Sequence, residues 1–93
     1  MVYRLLYHSD VKKVDLPKID ARNKAMLKRA IKERLATQPE VYGKPLQGTL
    51  KGYRKLRVGE YRVVFKITEI EVLILGIIHR KEVYRQIQKR VTN

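Results

Sequence analysis

The sequence contains no cysteine, which excludes a disulfide scaffold and any cysteine-based zinc site. Long apolar runs are also missing. The longest, Val72 to Ile78, has seven residues, whereas a bilayer span needs roughly 18 or more, so no membrane partner is expected. The opening residues, Met1 to His8, show no signal-peptide apolar region, and a cytoplasmic location is expected. Two histidines without cysteine offer no metal-ligand spacing, and no metal or other cofactor is expected. Carboxylates are few and scattered, and no pair suggests glycosidase or two-metal chemistry. The segment from Lys44 to Lys51 lacks the spacing of a phosphate-binding Walker loop.

Positive charge is what the chain has in excess. Lys and Arg number 22 against 9 Asp and Glu, a formal charge of +13 on 93 residues. Hydrophobic residues still make up 44%, an ordinary share for a folded domain and more than a disordered basic tail carries. The charge is spread over both halves, with no linker, repeat or low-complexity tract between them. One domain over residues 1–93 is expected, with an anionic partner: nucleic acid, an acidic protein, or both.

The pattern of residues predicts β, two helices, three antiparallel strands and a helix. Val2 to Tyr7 reads as a strand. Ser9 and Asp10 are candidate caps for a short helix ending before Pro17. Asp20 is a candidate cap for a helix over Ala21 to Thr37, in which Leu27, Ala30, Ile31 and Leu35 form one apolar stripe. Pro39, Gly43, Pro45 and Gly48 mark a loop. Strands are predicted over Tyr53 to Val58, Tyr61 to Ile67 and Ile70 to Ile78, and a helix over Arg80 to Arg90. The last strand is apolar on both faces and should lie inside the sheet. The expected fold is a small α/β (α+β) domain. Its curved, antiparallel-rich sheet of about four strands packs on two N-terminal helices, with a short C-terminal helix.

Gly59-Glu60 fits a two-residue type II′ turn. That register sets Val58 against Tyr61, Arg57 against Arg62, and Leu56 against Val63. Leu56, Val58, Tyr61, Val63 and Phe65 then share one face, and Tyr53, Lys55, Arg57, Arg62 and Lys66 the other. Two arginines directly opposite each other repel. They read either as an anion cradle on rigid strands or as a solvated face of a protein that is basic throughout.

A second cluster is His79, Arg80 and Tyr84, where the last strand meets the last helix. His79 has the alternation of Leu73, Leu75 and Ile77. Arg80 and Tyr84 are spaced to share a helix face, and an anion at that helix start would gain from both the arginine and the N-terminus. The plain alternative is a structural His79 and a Tyr84 packed on the sheet. His8, near a strand end, suits a structural role.

The stretch from Leu50 to Phe65, with Arg57-Val58-Gly59-Glu60-Tyr61-Arg62 at its centre, resembles the RelE branch of the RelE/ParE toxin superfamily. So does Ile77-Ile78-His79-Arg80-Lys81-Glu82-Val83-Tyr84. The resemblance implies the toxin of a type II toxin–antitoxin pair, with a cognate acidic antitoxin, the ribosome and mRNA as partners. It further implies a metal-independent endoribonuclease in which a ribose 2′-OH attacks the adjacent phosphate. Lys55, Arg57, Arg62, His79, Arg80 and Tyr84 are the implied catalytic group. Arg57, Arg62 and Arg80 would hold and stabilise the phosphate. Lys55, His79 and Tyr84 are candidates for proton transfer. Tyr53, Arg54, Lys51, Lys66 and Lys81 are candidate RNA contacts. Tyr53 stands where some members of the superfamily carry a lysine. The ParE-type alternative is a DNA gyrase inhibitor without nuclease chemistry. A basic module that binds RNA or protein, without catalysis, is the remaining alternative.

Overall fold

The computed structural model describes residues 2–92. Five strands form one mixed sheet: β1 (Arg4–Tyr7), β2 (Lys44–Pro45), β3 (Arg54–Val58), β4 (Tyr61–Thr68) and β5 (Glu71–His79). Their order is β1-β5-β4-β3-β2. β1 runs parallel to β5 and the other neighbours are antiparallel. The predicted strands are present, trimmed or extended at their ends. The fifth, β2, lies in a segment expected to be loop. Pro39–Tyr42 in that segment also forms a short helix, α2. β5 lies inside the sheet because its side chains are apolar on both faces: Val72, Ile74, Leu75, Ile77 and Ile78 are all buried.

The β3–β4 hairpin has the predicted register, with Val58 against Tyr61, Arg57 against Arg62 and Leu56 against Val63. Gly59 has φ +59°, and Glu69 is the one non-glycine with positive φ among the described residues. Glu60 therefore keeps a negative φ, as a type II′ turn requires.

Helices cover both faces of the sheet. On one face Asp20 caps α1 (Ala21–Ala30), its carboxylate accepting from the Asn23 backbone N–H at 2.8 Å. A widened turn, Ile31–Leu35, continues the helix, so the expected run to Thr37 is not one regular α-helix. The apolar stripe is buried as expected, packing Leu27, Ile31 and Leu35 against Leu56, Val63, Phe65 and Ile74. Phe65 is fully buried, which is worth roughly 1.5–3 kcal/mol. It also accounts for Gly43, where a Cβ would come within 2.3 Å of the Phe65 ring.

The first helical segment departs from expectation. Its chain runs Ser9 to Lys18 as a widened turn (Val11–Asp15) and a 3-10 turn (Leu16–Lys18). Neither Ser9 nor Asp10 supplies the cap: the Asp10 N–H donates to Nδ1 of His8 at 3.0 Å. Pro17 falls within the first turn of the 3-10 segment, where its missing N–H costs nothing.

On the other face lies α3 (Val83–Thr92), whose Val83 and Ile87 pack on Val64, Leu75 and Ile78. It begins later than predicted, and Arg80 to Glu82 form a turn instead. Arg80 is therefore not on the helix, and its shared helix face with Tyr84 does not exist. A bulge in β5 also changes the expected alternation. Val64 pairs with Gly76 and Phe65 with Ile74, so Leu75 has no partner on β4. The extra residue moves Ile77 and His79 to the face of Val72 and Ile74, away from Leu75. The bulged Leu75 carbonyl accepts from Arg90 Nη1 at 3.0 Å, which satisfies a group the ladder leaves open. Gly76 allows this approach, since a Cβ there would lie 2.7 Å from both Arg90 Nη1 and Ile87 Cδ1.

Candidate functional site: a basic cradle on the sheet

Side chains alternate across a strand, so Lys55 and Arg57 of β3 and Arg62 of β4 project from the face that carries α3. Arg57 and Arg62 are direct cross-strand partners. The guanidinium of Arg62 is held below the usual arginine range, first by desolvation and then by the charges of Arg57 and Arg80. Three cations therefore act on one small region. Arg62 Nη1 donates to the carbonyls of Gly59 (3.1 Å) and Tyr61 (2.9 Å), which fix its side chain over the hairpin turn. Arg57 is exposed, and no carboxylate pairs with it among the described residues.

Arg80 reaches the same region through the hairpin tip. Its backbone N–H donates to the Glu60 carbonyl at 2.9 Å, and its Nε lies 3.3 Å from the Glu60 carboxylate. Both side chains are exposed, so the pair contributes little to stability and leaves Arg80 accessible. Tyr84, in the first turn of α3, is 47% exposed. Lys55 Nζ lies 6.0 Å from its ring centroid, a distance at which the ring still attracts the ammonium.

His79 is not part of this group. The β5 bulge sets it opposite Tyr61, and their rings meet edge to face with centroids 6.0 Å apart. It lines a separate cleft of about 220 Å³ with Asp15, Tyr61 and Glu82. Its Nδ1 accepts from the Lys81 N–H at 3.3 Å, and its carbonyl from the Glu82 N–H at 2.9 Å. It thus braces the turn that carries Arg80.

The expected RNA contacts separate in the same way. Lys66 lies 5.6 Å from the Tyr53 ring centroid on the cradle face, and Lys51 and Lys81 are exposed in turns. Arg54 points to the opposite face. Its Nη1 donates to the carbonyls of Gly43 (3.3 Å) and Glu40 (3.4 Å), at the end of α2. Among the described residues, no group of three His, Asp or Glu could hold a metal ion, and no helix is long and apolar enough to cross a membrane.

The sequence did not reveal three further residues beside the cradle. A cleft of about 400 Å³ at the open edge of β3 is lined by Lys55, Arg57 and Arg62 and also by Arg34, Tyr42 and Lys44. Lys44 gives no strand signal, because its strand has only two residues, the second of them Pro45, and follows a glycine. Nothing local predicts that it pairs with Lys55.

A small α+β domain with a five-stranded mixed sheet flanked by helices is the architecture of the RelE/ParE toxins. The family described as ParE toxin of type II toxin–antitoxin system, parDE, matches residues 5–84, and the chain belongs to it. Among solved structures, the toxin–antitoxin complex RelBE2 of Mycobacterium tuberculosis aligns with TM-score 0.79 and 29% identity, over 86% of this chain and 93% of that one. A substituted form of Escherichia coli toxin RelE in the free state aligns with TM-score 0.74 and 22% identity, over 98% and 99%. The RelB-RelE antitoxin–toxin complex of Methanococcus jannaschii aligns with TM-score 0.69 and 21% identity, over 87% and 96%. The last two likenesses concern the fold alone. No curated protein matches the sequence.

Proposed function

We propose that this toxin is a ribosome-dependent endoribonuclease that cleaves mRNA in the cytoplasm without a metal. One observation carries the reading. Arg57 and Arg62 face each other on the sheet, within the field of Arg80, on the side that presents Lys55 and Tyr84. The reaction is in-line transfer at phosphorus. The ribose 2′-oxygen forms a bond to the adjacent phosphorus and loses its proton, the P–O5′ bond breaks, and the departing 5′-oxygen takes up a proton. The products are a 2′,3′-cyclic phosphate and a 5′-hydroxyl.

Arg57 and Arg62 hold the non-bridging oxygens, and Arg80 stabilises the charge that builds on the phosphorane. Lys55 and Tyr84 handle the two protons. His79, on the other face, positions Arg80 through the turn and does not touch the substrate. Tyr53, Lys51, Lys66 and Lys81 contact the RNA backbone, while Arg54 supports the sheet edge. Among the described residues no imidazole reaches the cradle face and the Glu60 carboxylate is engaged by Arg80, so the site needs the ribosome to align its substrate.

A cognate acidic antitoxin is the other partner. The described likenesses to solved toxin–antitoxin complexes support it, and so does a charge of +13 in need of neutralisation. The deciding experiment maps RNA 5′ ends after expression of the protein in cells, beside the Arg62→Ala variant. New ends within translated codons, present with the wild type and absent with the variant, support the proposal. Toxicity without new RNA ends, accompanied by trapped gyrase–DNA complexes, favours the gyrase reading, for which the ParE description of the family speaks.

A further inference from the structure

The cradle does not end at Arg57. Where β2 stops, the edge of β3 is open, and the cleft continues past it to Tyr42 and Arg34. Lys44 stands directly opposite Lys55 in the β2–β3 ladder, just as Arg57 stands opposite Arg62 in the next one. Two successive like-charge pairs oppose strand pairing, and both open on the same cleft. Beside them Tyr42 is 44% exposed, and the Arg34 guanidinium lies 5.7 Å from its ring centroid. Among the described residues no carboxylate lines the cleft. Leu56, the one aliphatic lining residue among those described, is itself buried, which leaves little apolar seat for a protein helix. Cations along a track with an aromatic platform beside it match the chemistry of a single-stranded nucleic acid: phosphates on the track, a base on the ring.

We propose that this cleft is a second nucleotide subsite, in which a base flanking the cleavage point stacks on the Tyr42–Arg34 pair and its phosphate lies between Lys44 and Lys55. The proposal rests on the reading of the cradle as an RNA site. Stacking accepts any base, so the subsite adds affinity and register with little sequence preference. It also gives the Lys44–Lys55 repulsion a compensating ligand.

The test is fluorescence anisotropy at low salt with two uncleavable 2′-O-methyl RNAs, an octanucleotide and a trinucleotide, the latter long enough for the cradle alone. Circular dichroism establishes that each variant is folded. Tyr42→Ala should weaken octanucleotide binding by about tenfold, Tyr42→Phe should not, and Lys44→Gln should weaken it by a smaller factor. The trinucleotide should bind all of them equally. If Tyr42→Ala and Lys44→Gln bind the octanucleotide as the wild type does while Arg62→Ala loses it, the subsite is wrong and the cradle survives. If wild type and Arg62→Ala bind neither RNA, both readings fall. If an oligoglutamate of equal charge competes as well as RNA and Tyr42→Ala alters neither, the surface recognises charge alone and the subsite is again wrong.

Discussion

Asp15 and Arg90, 75 residues apart, meet in a two-point ion pair at the edge of β5, with Arg90 Nη1 and Nη2 donating to Asp15 Oδ2 and Oδ1 at 2.7 and 2.5 Å. Both side chains are almost fully buried. Asp15 Oδ2 also accepts the Ile77 N–H at 2.9 Å, just past the point where the β1 ladder ends at Ile74. A carboxylate thus takes the place of a missing strand. The bond to Asp15 raises the pKa of Arg90.

Breaking this pair leaves a buried charge without its main partner, although Arg90 Nε still lies 3.6 Å from the Asp10 carboxylate. Asp15→Asn or Arg90→Gln should cost about 3–5 kcal/mol, a fall in Tm on the order of 15 °C or more for a domain of this size. Replacing both, as Asp15→Leu with Arg90→Met, should recover only part of the loss. The Ile77 N–H and Leu75 carbonyl would still lack partners. Calorimetry on the three variants measures this. A double variant as stable as the wild type would show the pair to be dispensable.

The facing arginines should behave in the opposite way. Arg57→Gln removes a cross-strand repulsion, so stability should rise by a few tenths of a kcal/mol. Arg62→Ala removes the same repulsion but also the bonds to Gly59 and Tyr61, and the two effects should nearly cancel. Both variants should lose on the order of a hundredfold in mRNA cleavage. The check is Tm and cleavage rate on the same preparations.

Tyr84 allows two roles to be separated. If its hydroxyl transfers a proton, Tyr84→Phe should be as damaging as Tyr84→Ala, by roughly a hundredfold, although phenylalanine keeps the ring beside Lys55. Stacking alone would spare the phenylalanine variant. Single-turnover cleavage on programmed ribosomes distinguishes them, and the proposed mechanism expects the first result.

Salt should report on the cradle as a whole. Binding to RNA or ribosomes should weaken steeply and linearly on a log–log plot as salt rises, because phosphate contacts release counterions. Removing Arg62 should reduce the slope by about one. A flat response would count against an interface made of phosphate contacts.

A further substitution probes the packing. Gly43→Ala would drive a methyl group into the Phe65 ring, and overpacking of this kind costs about 1–3 kcal/mol. Urea titration should show a lower midpoint with an unchanged slope.

Much of this was legible in the sequence because the signals were local. Asp20 announced a cap, Gly59-Glu60 a turn, and the two-residue alternation set Arg57 against Arg62. The errors arose where distant residues decide. The β5 bulge depends on Arg90 reaching the Leu75 carbonyl, and no pattern within 71–79 shows that; it turned His79 to the other face. The late start of α3 reflects the Arg80 N–H bonding to Glu60 instead of entering a helix. Asp15 carries no local signal because its partner is 75 positions away, and Lys44 lies in an expected loop because its strand exists only by pairing with β3.

The strand order has a consequence in time. β1 is synthesised first, yet its one neighbour in the sheet is β5, and the cap on the β5 edge needs Arg90. Until a ribosome has passed that codon, the early strand has nowhere to go and the sheet lacks its interior member. Non-local pairing of this kind also closes slowly. The chain therefore remains an unassembled precursor on the ribosome until β5 and Arg90 have both been made.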